Sequence, residues 1–411
     1  MRSLDVAIVG AGPYGLSAAA HIVAAGHKVQ VFGRPLSTWS EAMPAGMTLK
    51  SDGYATCLSA PGGQGTLAEY CAAQGLSYKG NDDPPSLQTF VAYGLDFQRR
   101  FFPRLDTRDV QSVEHDQGKF KLTTEDGEHF LADRIVLAVG ITHFSVMPKI
   151  LADLPRSAAS HSAEHHRLDR FSGCDVAVVG GGASAVDIAA ELLDSGARPI
   201  LITRNGPPKF WDPPGDGKIA FLQMLRKPPS PIGPGWRSRM ASDVPDLFRQ
   251  LPARLRLHIL RRHLGPSSRW QMRDRVVGKV AMLSDCELVS ASVNGSRVGL
   301  TLSHKSGESR ELTADHVIAA TGYWPQVERL HFLSPQLRAA IAHVSGLPVL
   351  SRNFESSVLG LYFTGLAAAG SFGPLLRFVA GAGFTARRIS HHVARQLSAQ
   401  TAGLPNAEKP I

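Results

Sequence analysis

Cysteine is scarce in this chain. Cys57, Cys71, Cys174 and Cys286 are the only four in 411 residues, and no two form a Cys-x-x-Cys pair. That pattern argues against a dithiol mechanism of the thioredoxin-reductase kind and against a secreted disulfide framework. Four inert thiols fit a reducing compartment, and a cytoplasmic location is expected. Long apolar runs are also missing, and none approaches the length that crosses a bilayer. The apolar N-terminal stretch is interrupted by Asp5, and its glycine spacing reads as a turn and not as a signal peptide. Charge of one sign is not concentrated enough to call for nucleic acid. A net charge of +9 is mild at this length, and anionic small molecules account for part of it. Hydrophobic content of 43% and charged content of 19% are ordinary for a globular protein, long enough here for two domains.

Glycine, by contrast, is placed with purpose. Gly10-Ala11-Gly12-Pro13-Tyr14-Gly15 follows the apolar run Val6-Ala7-Ile8-Val9, and Gly180-Gly181-Gly182-Ala183-Ser184-Ala185 follows Val176-Ala177-Val178-Val179. Each run reads as a buried strand, and each glycine segment opens a helix-like stretch. The first glycine permits a tight turn, the second lets the backbone approach a pyrophosphate, and the third position must be small so that helix and strand pack. Ala185 is an accepted variant there. The N–H groups at the helix start then face phosphate, aided by the helix dipole. One such site suggests a dehydrogenase. Two suggest that electrons pass from a nicotinamide cofactor to a bound flavin, so FAD and NADPH are the expected cofactors.

An acid is missing where each second strand should end. That position normally grips a ribose 2′-hydroxyl, yet it holds Gly33-Arg34 in the first unit and Thr203-Arg204 in the second. Thr203 and Arg204 suit a 2′-phosphate, which favours NADPH over NADH. In the first unit the ribose must be held some other way, with Arg34 stacked on the adenine.

The remaining text alternates strands and helices up to about Thr142, with a hairpin-like pair around Phe120-Lys121-Leu122 and His129-Phe130-Leu131. Pro148 and Pro155 mark a linker. A segment from about 206 to 278, rich in proline, arginine and tryptophan, interrupts the second unit. Within it, residues 253–264 read as a basic helix that packs its leucines on the protein; lying on an anionic membrane is the lesser alternative. The sequence after Leu397 is polar and reads as a disordered tail.

Three features together resemble the class B flavin-dependent monooxygenases: the order of the fingerprints, the segment Ala320-Thr321-Gly322-Tyr323, and the His161–Gly173 stretch before the second fingerprint. Pro155, Ser157, His165 and His166 depart from the subtype signatures. Trp39, Met47-Thr48-Leu49-Lys50-Ser51 and Phe372-Gly373-Pro374-Leu375-Leu376-Arg377-Phe378 are most similar to the bacterial lysine and ornithine N-hydroxylases. The expected architecture is α/β, with two Rossmann-like dinucleotide-binding domains, the second inserted in the first. FAD takes residues 1–145 and 316–397, NADPH takes 146–315 with the helical insert at about 206–278, and 398–411 form the tail.

The resemblance implies a cycle in which NADPH reduces FAD, a peroxyflavin forms with dioxygen, and a small amine or sulfur nucleophile takes one oxygen. The alternatives are an NADPH-dependent reductase or oxidase without oxygenation, Baeyer–Villiger oxygenation of a ketone, and a non-catalytic flavin-binding redox sensor. Partners are then a small substrate and dioxygen, and a homo-oligomer is a family-level expectation. Lys50 and His143 are the catalytic candidates. Cofactor-binding candidates are Gly10, Gly12, Pro13, Gly15, Arg34, Trp39 and Lys50 for the flavin; Gly180, Gly182, Ser184, Ala185, Thr203 and Arg204 for the nicotinamide nucleotide; and Thr321, Gly322, Gly365, Phe372, Gly373 and Pro374 around them. Gly373-Pro374 is read as the start of a helix facing the flavin's pyrimidine edge. Trp211 is a weaker pocket candidate. His161, His165 and His166 join no carboxylate pattern, and no metal is expected.

Overall fold

The apolar runs form the centres of two sheets. The computed structural model describes residues 2–81, 83–213, 221, 224–263 and 267–401. In the first sheet, Arg2–Val9 lies in parallel between Val29–Phe32 and His129–Leu137. The first half of His129–Leu137 pairs antiparallel with Lys119–Thr124, which in turn pairs with Val110–Asp116. Its second half accepts Leu361–Phe363 in parallel, so the chain returns to this sheet near its end. Val6, Ile8, Ile135 and Val136 are fully buried, as expected for strands covered on both faces.

The second sheet is parallel throughout, in the order Ala159–His161, His316–Ala319, Asp175–Val179, Arg198–Thr203, Ala281–Ser284. This corrects one expected boundary. The sequence pattern places His316–Ala319 in the returning first domain, but the strand is hydrogen-bonded on both sides within the second sheet and buried along its length. The second unit therefore closes after Ala319. A three-stranded antiparallel meander, Cys286–Asn294, Arg297–His304 and Ser309–Ala314, precedes that strand.

The insert between Arg198–Thr203 and Ala281–Ser284 is helical, with Trp236–Asp243, Pro245–Gln250 and Ala253–Arg262. Its middle packs on the first unit, while Met272 and Val276 near its end join the second core. Ile232 and Leu260 join the first core, Arg388 Nη2 meets Asp246 Oδ2 at 2.8 Å, and Arg249 donates to the Leu350 carbonyl at 3.3 Å. The basic helix ends at Arg262, short of the expected residue 264; residues 264–266 lie outside those described. Leu257 packs on the core and Arg261 stands 5.2 Å over the Trp324 ring, while Leu255 is exposed.

The expected tail at 398 also shifts. The last helix runs Gly381–Thr401, because Ala386, Ile389 and Val393 continue an apolar face that docks on the helix Pro13–Ala24, and Leu397 extends it. Residues 402–411 lie outside those described. Among the described residues, no helix is long and apolar enough to cross a membrane.

Candidate active site

The first fingerprint is closed where packing demands it and open where a ligand would lie. A Cβ on Gly10 would sit 2.3 Å from the Ala138 carbonyl oxygen, and one on Gly15 would sit 1.9 Å from that of Gly10. A Cβ on Gly12 would meet nothing within 4 Å. Gly12 precedes the helix Pro13–Ala24, Pro13 takes its first position, and no side chain caps it. Its backbone donors are thus available to an anion. A cleft of about 850 Å³ opens here, lined by the glycine turn, by Arg34 at the tip of the second strand, and by Trp39, Lys50 and Gly365. Ser184, in the first turn of the helix behind the second fingerprint, lines the same cleft. Arg34 is held by Glu41 at 2.9 Å, and Trp39 stands edge-on to Phe90 at 4.7 Å.

The second turn repeats the construction. A Cβ on Gly180 would sit 2.3 Å from the Ala320 carbonyl oxygen, Ala185 is fully buried, and Gly182 starts the uncapped helix Ala183–Asp194. Thr203 does not present its hydroxyl to a ribose. It is buried and donates to the Gly206 carbonyl at 2.6 Å, closing the turn after the strand. Arg204 does project, with a side chain 71% exposed and a loose contact of 3.9 Å to Glu287.

Several other candidates occupy different places from those expected. Phe372 is a core residue, stacked on Phe354 at 4.0 Å. Pro374 opens only the short turn Pro374–Arg377, and the long helix starts later, at Gly381. A Cβ on Gly373 would sit 2.9 Å from the Phe248 ring of the insert, so this glycine serves packing. Thr321 and Gly322 tie the units together: the Thr321 hydroxyl donates to the Val146 carbonyl, and Val146 N donates to the Gly322 carbonyl at 2.9 Å. His143 lines the cleft beside Phe332, and burial there lowers its imidazole against the opposing charge of Asp109. His165 and His316 each approach the Ser160 hydroxyl at 2.7 Å, while His161 ends a strand and accepts from Ala163 N.

What gathers at Lys50 comes from four parts of the chain. Its Nζ donates to the Ser267 carbonyl at 2.8 Å and lies 5.0 Å from the centre of the Trp211 ring, whose N–H donates to the Ser267 hydroxyl at 3.1 Å. Arg269 donates to the Lys50 carbonyl at 2.8 Å and to Asp52 at 2.9 Å. Burial, and the charge of Arg377 after it, lower the Lys50 ammonium to about 8 against an opposing pull from Asp187. Asp187, on the helix behind the second fingerprint, is raised to about 7 by burial, opposed first by Lys50. Lys50 lines the cleft; Asp187 is not among its lining residues, but the two charges act on each other.

The sequence reading missed Asp187. Its signal is a lone acid in the first turns of the apolar run Ala183-Ser184-Ala185-Val186-Asp187-Ile188-Ala189-Ala190. A carboxyl whose folded value lies above its unfolded value of about 4 costs nothing below pH 4. Its cost grows as pH rises and is complete above about 7. Asp187→Asn should therefore melt with the wild type near pH 4 and several degrees above it at pH 7.5. A melting difference that stays constant across that range would contradict the assignment.

The family model described as pyridine nucleotide-disulphide oxidoreductase matches residues 7–216, about half of the chain. The chain belongs to this family. Among curated relatives, it is similar to a ferredoxin–NADP reductase of Granulibacter bethesdensis, 36% identical over 105 residues that cover 25% of this chain and 30% of that protein. It is also similar to indole-3-pyruvate monooxygenase YUCCA1 of Oryza sativa subsp. japonica, 28% identical over 212 residues that cover 48% of this chain and 47% of that one. The chain thus spans about half or less of the length of these relatives. Its fold over nearly all its length is that of the ornithine N-hydroxylase of Kutzneria sp. 744, with a TM-score of 0.75 at 17% identity, covering 96% of this chain and 100% of that one. The fold therefore agrees with the resemblance to the class B flavin-dependent monooxygenases. None of the four cysteines, all free, lines the cleft.

Proposed function

We propose that this chain is an NADPH-dependent flavoprotein monooxygenase that oxygenates a small nitrogen or sulfur nucleophile. One observation carries the reading: the first glycine cradle opens on a cleft that Ser184, in the first turn of the helix behind the second cradle, also lines. The open space over Gly12 and the uncapped helix behind it fit the pyrophosphate of FAD. Gly10, Gly12, Pro13 and Gly15 hold that group, with Arg34, Trp39 and Gly365 along the cleft. Gly180, Gly182, Ser184, Ala185 and Arg204 hold NADPH. When bound, the flavin accepts hydride from the nicotinamide and activates dioxygen.

The protein's part is placement and proton traffic. The insert brings Ser267, Arg269 and Trp211 against Lys50, at one end of the cleft. Lys50 Nζ, held by the Ser267 carbonyl, donates or retains a proton near neutral pH, and the Asp187 carboxyl takes one within the same field.

The deciding measurement uses FAD-loaded protein, NADPH and isotopically labelled dioxygen with a panel of amines and thioethers. One labelled oxygen atom in the product per NADPH consumed is the expected result. NADPH consumption that yields only released peroxide with every compound would replace this reading with that of a reductase or oxidase.

A further inference from the structure

The net charge of +9 is not spread evenly along the chain. Residues 206–278 hold 14 of the 44 Lys and Arg but only 5 of the 35 Asp and Glu, an excess that equals the whole chain's and leaves the remainder formally neutral. The same segment carries nine of the sixteen large apolar side chains that stand exposed, so charge and apolar surface coincide on the insert. Five of them form a connected row. The Trp236 ring N–H donates to the Leu225 carbonyl at 3.2 Å, and Met240 lies one turn beyond Trp236 on the same helix. Val244 N donates to the Met240 carbonyl at 3.1 Å, and Leu247 N donates to the Val244 carbonyl at 3.0 Å. Trp236 is 60% exposed and Met240 57%. Arg226, Arg237 and Arg239 are interleaved with this row and are exposed too. Asp243 and Asp246, the two acids beside it, are taken by Arg239 and Arg388, which leaves Arg226 and Arg237 without an ion pair among the described residues. The row is separate from the basic helix Ala253–Arg262, which turns Leu257 and Leu260 toward the core. Single exposed apolar side chains are ordinary, but a connected row among unpaired arginines marks an interaction surface.

We infer that the outer face of Trp236–Asp243 and Pro245–Gln250 docks on an anionic lipid surface, with the row entering between the headgroups and Arg226 and Arg237 pairing with their phosphates. Charge and chemistry select this occupant. A second copy of the chain would set one basic face against another, and the two would repel. A nucleic acid would answer the arginines and leave the aliphatic row unmatched. An anionic bilayer takes both, because its interface admits Trp, Leu and Met while its surface potential attracts Arg. The inference is independent of the monooxygenase reading.

Co-sedimentation of the full chain, as purified, with lipid vesicles tests it. Phosphatidylcholine vesicles containing about one-third phosphatidylglycerol should bind the protein at least ~10-fold more tightly than phosphatidylcholine alone, and salt of about 0.5 M should weaken that binding. Tryptophan emission should move to the blue on binding, and the move should vanish in Trp236→Phe, which keeps an apolar ring and the binding itself. The paired variant Trp236→Ser/Met240→Ser should lose binding by at least ~10-fold, and Arg226→Glu/Arg237→Glu should do the same. None of these four residues lines the cofactor cleft, and all four are exposed, so thermal transitions in lipid-free buffer should match the wild type. Four results would overturn the inference: equal or no binding to the two kinds of vesicle, binding that survives both paired variants, binding with no emission change that depends on Trp236, and polyglutamate bound more tightly than the anionic vesicles. The third is the adhesion any basic protein shows, and the fourth would assign the face to an acidic protein.

Discussion

Gly12→Val should yield a folded, colourless protein. Gly12 has φ −84° and ψ −174°, backbone that valine adopts readily, and a Cβ there meets nothing within 4 Å. The fold therefore has no reason to reject the side chain. A bound pyrophosphate does, because the added methyl groups fill the space through which it approaches the helix start. Loss of that contact should weaken FAD binding by at least ~100-fold, or about 3 kcal/mol. The thermal transition measured without added flavin should match that of the wild type, while the visible flavin absorbance is lost on purification. Gly10→Val supplies the contrast. At φ 109°, with the Ala138 carbonyl oxygen 2.3 Å from the new Cβ, it should fail to fold. A yellow Gly12→Val protein with wild-type FAD content would show that the cleft beside the first turn is not a flavin site.

Arg204→Ala should raise the KM for NADPH by roughly 10- to 100-fold and move the KM for NADH less than about twofold. A charge-assisted hydrogen bond to phosphate is worth about 1.5–3 kcal/mol, which sets that range. The side chain is 71% exposed, and its one ion-pair contact among the described residues is to Glu287 at 3.9 Å, so stability should barely change. Steady-state kinetics with both nucleotides check the point. Equal effects on NADPH and NADH would remove the preference for the phosphorylated cofactor.

Thr203 and Arg204 show how far neighbours in sequence can part in space. Both stand where the fingerprint expects a ribose contact, and the motif recommends both. The turn after the strand consumes the threonine hydroxyl internally, at 2.6 Å from the Gly206 carbonyl, and leaves only the arginine outward. Gly373-Pro374 teaches a similar lesson. Proline after glycine does open a turn, but the insert's Phe248 ring lies against it, and no local pattern announces a contact 125 residues away in the chain. The strand His316–Ala319 reads equally well in either sheet by composition; hydrogen bonding to Asp175–Val179 and Ala159–His161 settled its place.

The sequence alone determined the two cradles. A glycine that must adopt positive φ or lie against a neighbouring carbonyl obeys constraints set within one strand, turn and helix, and those constraints are written in adjacent letters. The tertiary structure decided who meets whom beside Lys50: Asp187 from the second fingerprint's helix, Arg377 from the returning first unit, and Trp211 and Ser267 from the insert. Their protonation states follow from burial and from charges brought together by folding. Both depend on distance through space, which spacing along the chain does not encode.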